Sequence, residues 1–153
     1  MKRSSNRTKG YTFIELMVIV GIVSLLLGLS LNGLDYLIQL NKLNTTAALL
    51  GSELKNIHSR AFYEGVYYKL QFWPTLDRYR VYRQTELIND VILKDIDLFN
   101  TNFTDNNLYF YPNGVPSMGG TITLKNKRGK VLYVIMTPVT ARVRVSSEPP
   151  ENW

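Results

Sequence analysis

Glu15 is a lone carboxylate, five residues after Gly10, at the head of an apolar run. Residues 16–34 hold no ionisable side chain, a stretch of 19 residues and about the length a helix needs to cross a bilayer. An acid held in lipid costs about 2.5 to 3.5 kcal/mol at mid-membrane, so such an acid is read together with the cation that neutralises it. A second set of chemically competent residues is basic. Arg142 and Arg144 are two apart and share one face of a strand, and Lys125, Lys127, Arg128 and Lys130 crowd a turn nearby in sequence. Together they have the chemistry of phosphate neutralisation, a sequence-blind and salt-sensitive attraction to DNA. A solvated sheet face and a charged hairpin account for the same residues, and that reading takes precedence. In Arg78-Tyr79-Arg80-Val81-Tyr82-Arg83 the alternation puts Arg78, Arg80 and Tyr82 on one face and Tyr79, Val81 and Arg83 on the other. Stacking plus charge is how single strands are held, although exposed hairpins carry the same mixture without a ligand.

Other chemistries are excluded by what the chain lacks. It has no cysteine, which removes thiol catalysis, disulfides and thiolate zinc sites. Asp90, Asp95, Asp97 and Asp105 do not have the spacing of a calcium loop. The single histidine, His58, adjoins an apolar helical stripe and belongs to no recognisable nucleophile motif. No enzyme, metal or cofactor is expected.

The elements that must position these groups follow from charge and periodicity. The net charge of the 153 residues is +6, but Lys2, Arg3, Arg7 and Lys9 lie in the first ten; without them 14 basic side chains face 12 acidic ones. The basicity therefore belongs to a short leader, and a positive cluster before an apolar run keeps that end cytoplasmic. A secretory signal peptide fits less well, because the apolar run is long and its small residue, Gly10, precedes it. No proline interrupts residues 11–65. In the second half of that stretch Leu40, Leu43, Ala47, Leu50, Leu54, Ile57 and Ala61 recur in steps of three and four, one apolar stripe on a helix. A helix of about 50 residues is predicted, with residues 14–34 in the membrane, residues 35–65 amphipathic and Gly65 as its C-cap. Gly28, Gly33 and Gly51 are its soft points.

After Gly65 the period becomes two and the composition β-branched and aromatic. Strands are predicted at 66–73, 78–83, 91–99, 108–111, 120–125, 131–136 and 140–145, with turns at 74–77, 112–114 and 126–129 and a surface loop at 100–107. The last two strands are the most apolar and are expected at the centre of the sheet. Residues 146–153 form a tail. The chain thus divides into a leader (1–10), a helix (11–65) and a β-rich domain (66–153), and the fold class is α+β.

The segment Lys9-Gly10-Tyr11-Thr12-Phe13-Ile14-Glu15-Leu16, with the apolar run and amphipathic continuation behind it, resembles a type IV pilin or pseudopilin precursor. The resemblance implies cleavage between Gly10 and Tyr11 by a membrane prepilin peptidase, N-methylation of Tyr11, and assembly with other pilin or pseudopilin subunits. It also implies that the new Tyr11 amine of one subunit lies near Glu15 of its neighbour, which makes Glu15 an assembly residue. The family's first mature residue is most often phenylalanine, and here it is Tyr11.

Phe110-Tyr111-Pro112-Asn113-Gly114, Gly119-Gly120-Thr121-Ile122-Thr123-Leu124, Val134-Ile135-Met136 and Arg142-Val143-Arg144-Val145 are similar to the domain of H-type, FimT-like minor pseudopilins. These include a competence pseudopilin of Gram-positive bacteria. The usual glycine before the first arginine of the last strand is Ala141 here. By this resemblance the chain is a single-pass membrane protein, its leader cytoplasmic and its β domain outside, that assembles at the cell surface. DNA uptake in competence is the leading role, and DNA a candidate partner through Arg142, Arg144, Lys125, Lys127, Arg128 and Lys130. The alternative is a minor pseudopilin of a type II secretion, adhesion or motility pilus with a protein partner.

Overall fold

A computed structural model describes residues 11–138 and 140–150, apart from the side chains of residues 29–33. The expected leader, residues 1–10, lies outside the described residues. One helix, α1 (Phe13–Glu64), runs 52 residues, as the absence of proline allows. It ends at Gly65, whose φ of +65° is the left-handed conformation of a helix C′ residue. The chain divides into two units at residues 37/38.

In the first unit the side chains of residues 11–28 and 34–37 are exposed. Among the described residues no helix is long and apolar enough to cross a membrane. The expected span, 14–34, includes residues 29–33, whose side chains lie outside those described.

In the second unit α1 packs on two antiparallel sheets. Eight strands follow the helix: β1 (Tyr68–Trp73), β2 (Arg78–Arg83), β3 (Glu86–Ile92), β4 (Ile96–Thr101), β5 (Asn107–Phe110), β6 (Gly120–Asn126), β7 (Val131–Met136) and β8 (Val143–Ser146). The first sheet has the order β3-β2-β1-β5 and the second β4-β6-β7-β8. The predicted stripe supplies the helix's contribution to the core. Leu43, Ala47, Leu50, Leu54, Ile57 and Ala61 are fully buried and Leu40 is half-buried. They meet the inward residues of both sheets, among them Leu70, Phe72, Val81, Leu98, Ile122, Leu124 and Val134. Gly51 is where β8 comes closest: a Cβ there would stand 3.5 Å from Val143 Cγ1.

Polar pins fix the helix to the sheets. Glu64 accepts from Arg83 Nε at 2.8 Å, Tyr68 OH at 2.7 Å and Arg60 Nε at 3.0 Å, and these donors hold its carboxyl down to about 2. Asp95 accepts from Lys127 and, at 2.8 Å, from Lys42 of the helix. These two lysines, Lys127 first, hold its carboxyl at about 2.

Three expectations need correction. The predicted strand at 91–99 is the junction of two strands: β3 ends at Ile92, the chain turns through Asp95 with φ +66°, and β4 begins at Ile96 in the other sheet. Apolar residues on both sides of Lys94-Asp95 conceal it. The last strand is an edge, not a centre: β7 is interior and β8 lies outside it. The apolar residues of β8 answer to the helix at Gly51, not to flanking strands. The expected loop at 100–107 is shorter than predicted, with Thr101 in β4 and Asn107 in β5.

Candidate assembly site

The start of α1 is organised by Thr12 and Glu15. The Thr12 backbone amide donates to Glu15 Oε2 at 2.9 Å, the Thr12 hydroxyl to the same oxygen at 3.0 Å, and the Glu15 amide to Thr12 Oγ1 at 3.3 Å. This is a capping box, in which the residue before the helix and the third residue within it satisfy each other's free amides. The signal for it, Thr-x-x-Glu ahead of an apolar run, is present in the sequence, although the charge of Glu15 alone does not reveal it. Both bonds fall on Oε2. Among the described residues Oε1 accepts none, so the carboxylate keeps acceptor capacity for a further donor. Tyr11, Ile14, Val18 and Ile19 line a shallow apolar notch beside Glu15, and Tyr11 is 83% exposed. An anchored carboxylate flanked by apolar surface can receive one cation.

The basic residues do not form one cluster. Lys125 lies over the exposed ring of Phe99 at 5.2 Å, and Lys127 is engaged by Asp95. Arg142 and Arg144 flank buried Val143 on the outward side of β8. Arg144 pairs with Ile135 and Lys125 with Val131 across β7, which separates them by about 14 Å along the strand. Arg128 and Lys130 lie in the turn beyond β6. Ala141 stands at φ +48°, the left-handed region that favours glycine, where the resemblance leads one to expect it.

The Arg78–Arg83 strand has the expected faces: Tyr79 and Val81 are buried while Arg78, Arg80 and Tyr82 are partly exposed. Its charges are largely satisfied within the protein. Asp90 accepts from Arg80 Nε at 3.1 Å and lies 3.6 Å from Arg78 Nη1, and Arg83 reaches Glu64. Lys69 covers the Tyr82 ring at 4.3 Å and Arg80 the Trp73 ring at 5.6 Å. A cleft lined by Asp77, Asp95 and Asp97 also contains Lys125 and Lys127, and burial, then Asp77, raises the Asp97 carboxyl. Among the described residues no group of three or more His, Cys, Asp or Glu side chains could hold a metal ion. His58 packs on Phe110, ring centroids 5.8 Å apart.

No family model and no curated protein matches the sequence. The fold is similar to a solved one, the minor pseudopilin EpsH from the type 2 secretion system of Vibrio cholerae. The TM-score is 0.58 at 11% identity, over 69% of this chain and 96% of that one. The likeness is one of fold: a helix packed on antiparallel sheets, as in a pseudopilin.

Proposed function

We propose that this chain is a minor pilin-like subunit, a structural component of a pilus or pseudopilus and not an enzyme. The observation that carries the reading is the coincidence of a pseudopilin-like fold with a capped, apolar-flanked Glu15 at the head of its helix. Prepilin peptidase cuts between Gly10 and Tyr11 and the new Tyr11 amine is methylated. Residues 14–34 hold the subunit in the membrane until it is extracted into the filament. Cleavage creates a cation that the uncut chain lacks, and the neighbour's Glu15 receives it. Each charge is costly in lipid alone, and removing one partner of a buried pair typically costs about 3 to 5 kcal/mol.

Two systems fit such a subunit. DNA uptake in competence draws on the resemblance and on the outward Arg142 and Arg144. A secretion pseudopilus is favoured by the source of the similar structure, a type 2 secretion system. The test of the assembly role is Glu15→Ala in the host. The variant should reach the membrane with its β domain folded and be absent from sheared filaments; incorporation at the unaltered level would remove Glu15 from assembly. For DNA, the full-length chain should bind a duplex at low salt and lose affinity steeply as salt rises, and Arg142→Ala with Arg144→Ala should abolish binding. No binding at low salt leaves the protein-partner role.

A further inference from the structure

The two sheets have four edges, and the chain closes two of them itself. Along β5, Ser117 N donates to Tyr109 O at 2.8 Å and Tyr111 N to Val115 O at 3.1 Å, so residues 115–117 cover that edge. Along β4, the Leu98 amide donates to Asp77 Oδ1 at 2.9 Å. The edges of β3 and β8 are different. Among the described residues no hydrogen bond reaches the outward backbone groups of either strand. β3 is seven residues long with Leu87, Ile88 and Ile92 exposed, and β8 exposes Val145. An uncovered strand edge is a template for another strand.

The charges along the two open edges are complementary. β3 begins at Glu86 and Lys94 follows its end in the turn; Arg142 immediately precedes β8, Arg144 lies within it and Glu148 follows it in a bend. All five side chains are exposed, and among the described residues none of them has an ion-pair partner. Strands set side by side in the same direction, with Glu86 level with Arg142, bring Arg144 alongside as well. The same register puts Asn89 opposite Val145 and Glu148 diagonal to Lys94. Reversing the direction would set Glu148 against Glu86 and Arg142 diagonal to Lys94, and would leave Arg144 facing Asp90, a carboxylate that Arg80 and Arg78 already engage. We infer that the β3 edge of one copy of this chain receives the β8 edge of a second copy as a parallel neighbour, with Glu86 on Arg142 and Arg144. The two edges belong to different sheets, so the contact is head-to-tail and leaves one β3 and one β8 edge free for further copies.

This contact requires neither leader removal nor Glu15, so it and the filament reading fail separately. The absence of cysteine makes disulfide trapping specific. Full-length Asn89→Cys mixed with full-length Val145→Cys in detergent, under mild oxidation, should give a disulfide-linked dimer that neither variant gives alone. Glu86→Lys on the first chain should lower the yield about tenfold, and Arg142→Glu with Arg144→Glu on the second should restore it. The exposed pair Ile92→Cys and Glu148→Cys, further along the same register, serves if either first variant loses its native circular dichroism. The inference is overturned by a mixed yield no higher than that of a remote exposed pair such as Ser59→Cys with Ser52→Cys. It is equally overturned by an Asn89→Cys dimer formed alone in equal amount, or by a yield indifferent to charge reversal.

Discussion

Glu15 is held at the start of the helix by a local geometry that leaves one of its oxygens open. In the single chain it closes a capping box with Thr12, which fixes the direction of the carboxylate and leaves Oε1 open. A second donor can therefore be accepted without rebuilding the helix start. Thr12→Ala should accordingly leave the fold of residues 38–150 unchanged by circular dichroism and lower filament incorporation less than Glu15→Ala does. Equal loss from both would mean that orientation of the carboxylate matters as much as its charge. Glu64 and Asp95 make a prediction of a different kind. Both carboxyls lie at about 2 in the fold, against about 4 in an unfolded chain. Their contribution is fully present above the unfolded value and is lost as pH falls through the folded one. Thermal melts between pH 5 and pH 2 should therefore show a steep drop, and the double variant Glu64→Gln, Asp95→Asn should flatten it; an unchanged slope would assign the acid sensitivity elsewhere.

The helix is held by its stripe, and Leu54 lies at the middle of it with no exposed surface. Leu54→Ala should destabilise the β domain by about 2 to 5 kcal/mol, the range for a buried leucine whose cavity cannot collapse, measured by urea denaturation. Asp77 acts between the sheets: its carbonyl accepts from Leu93 N at 2.7 Å and its carboxylate from Leu98 N at 2.9 Å. Asp77→Ala should cost about 1 to 3 kcal/mol by orphaning the Leu98 amide, and Asp77→Asn, which keeps an acceptor, should cost less. The helix, its end at Gly65, the stripe and the strands at 78–83 and 131–136 were legible in the sequence because each is set by local periodicity or by a single capping residue. The turn at 93–95 was not. It is imposed by Asp95, held by Lys42 and Lys127 from 53 and 32 residues away, and no local pattern encodes partners at that distance. The edge position of β8 was hidden for a related reason, since its valines pack on Gly51 of the helix. At the candidate site Glu15 is legible from its charge at the head of an apolar run, whereas its local partner Thr12 is encoded only in the Thr-x-x-Glu spacing, which the charge does not reveal.

The molecule carries an apolar helix start with an anchored carboxylate and a β domain with two uncovered strand edges. The fold similarity to a minor pseudopilin extends over nearly all of that chain, while the residues that would define processing lie at its head, at Gly10 and Tyr11. Under the proposed function the chain becomes a subunit only when cleavage supplies the amine that Glu15 receives. The most direct test is the intact mass of the full chain extracted from host membranes and sheared filaments. The filament chain should begin at Tyr11 and be heavier by one methyl group; a filament chain that still begins at Met1 would overturn the proposed processing.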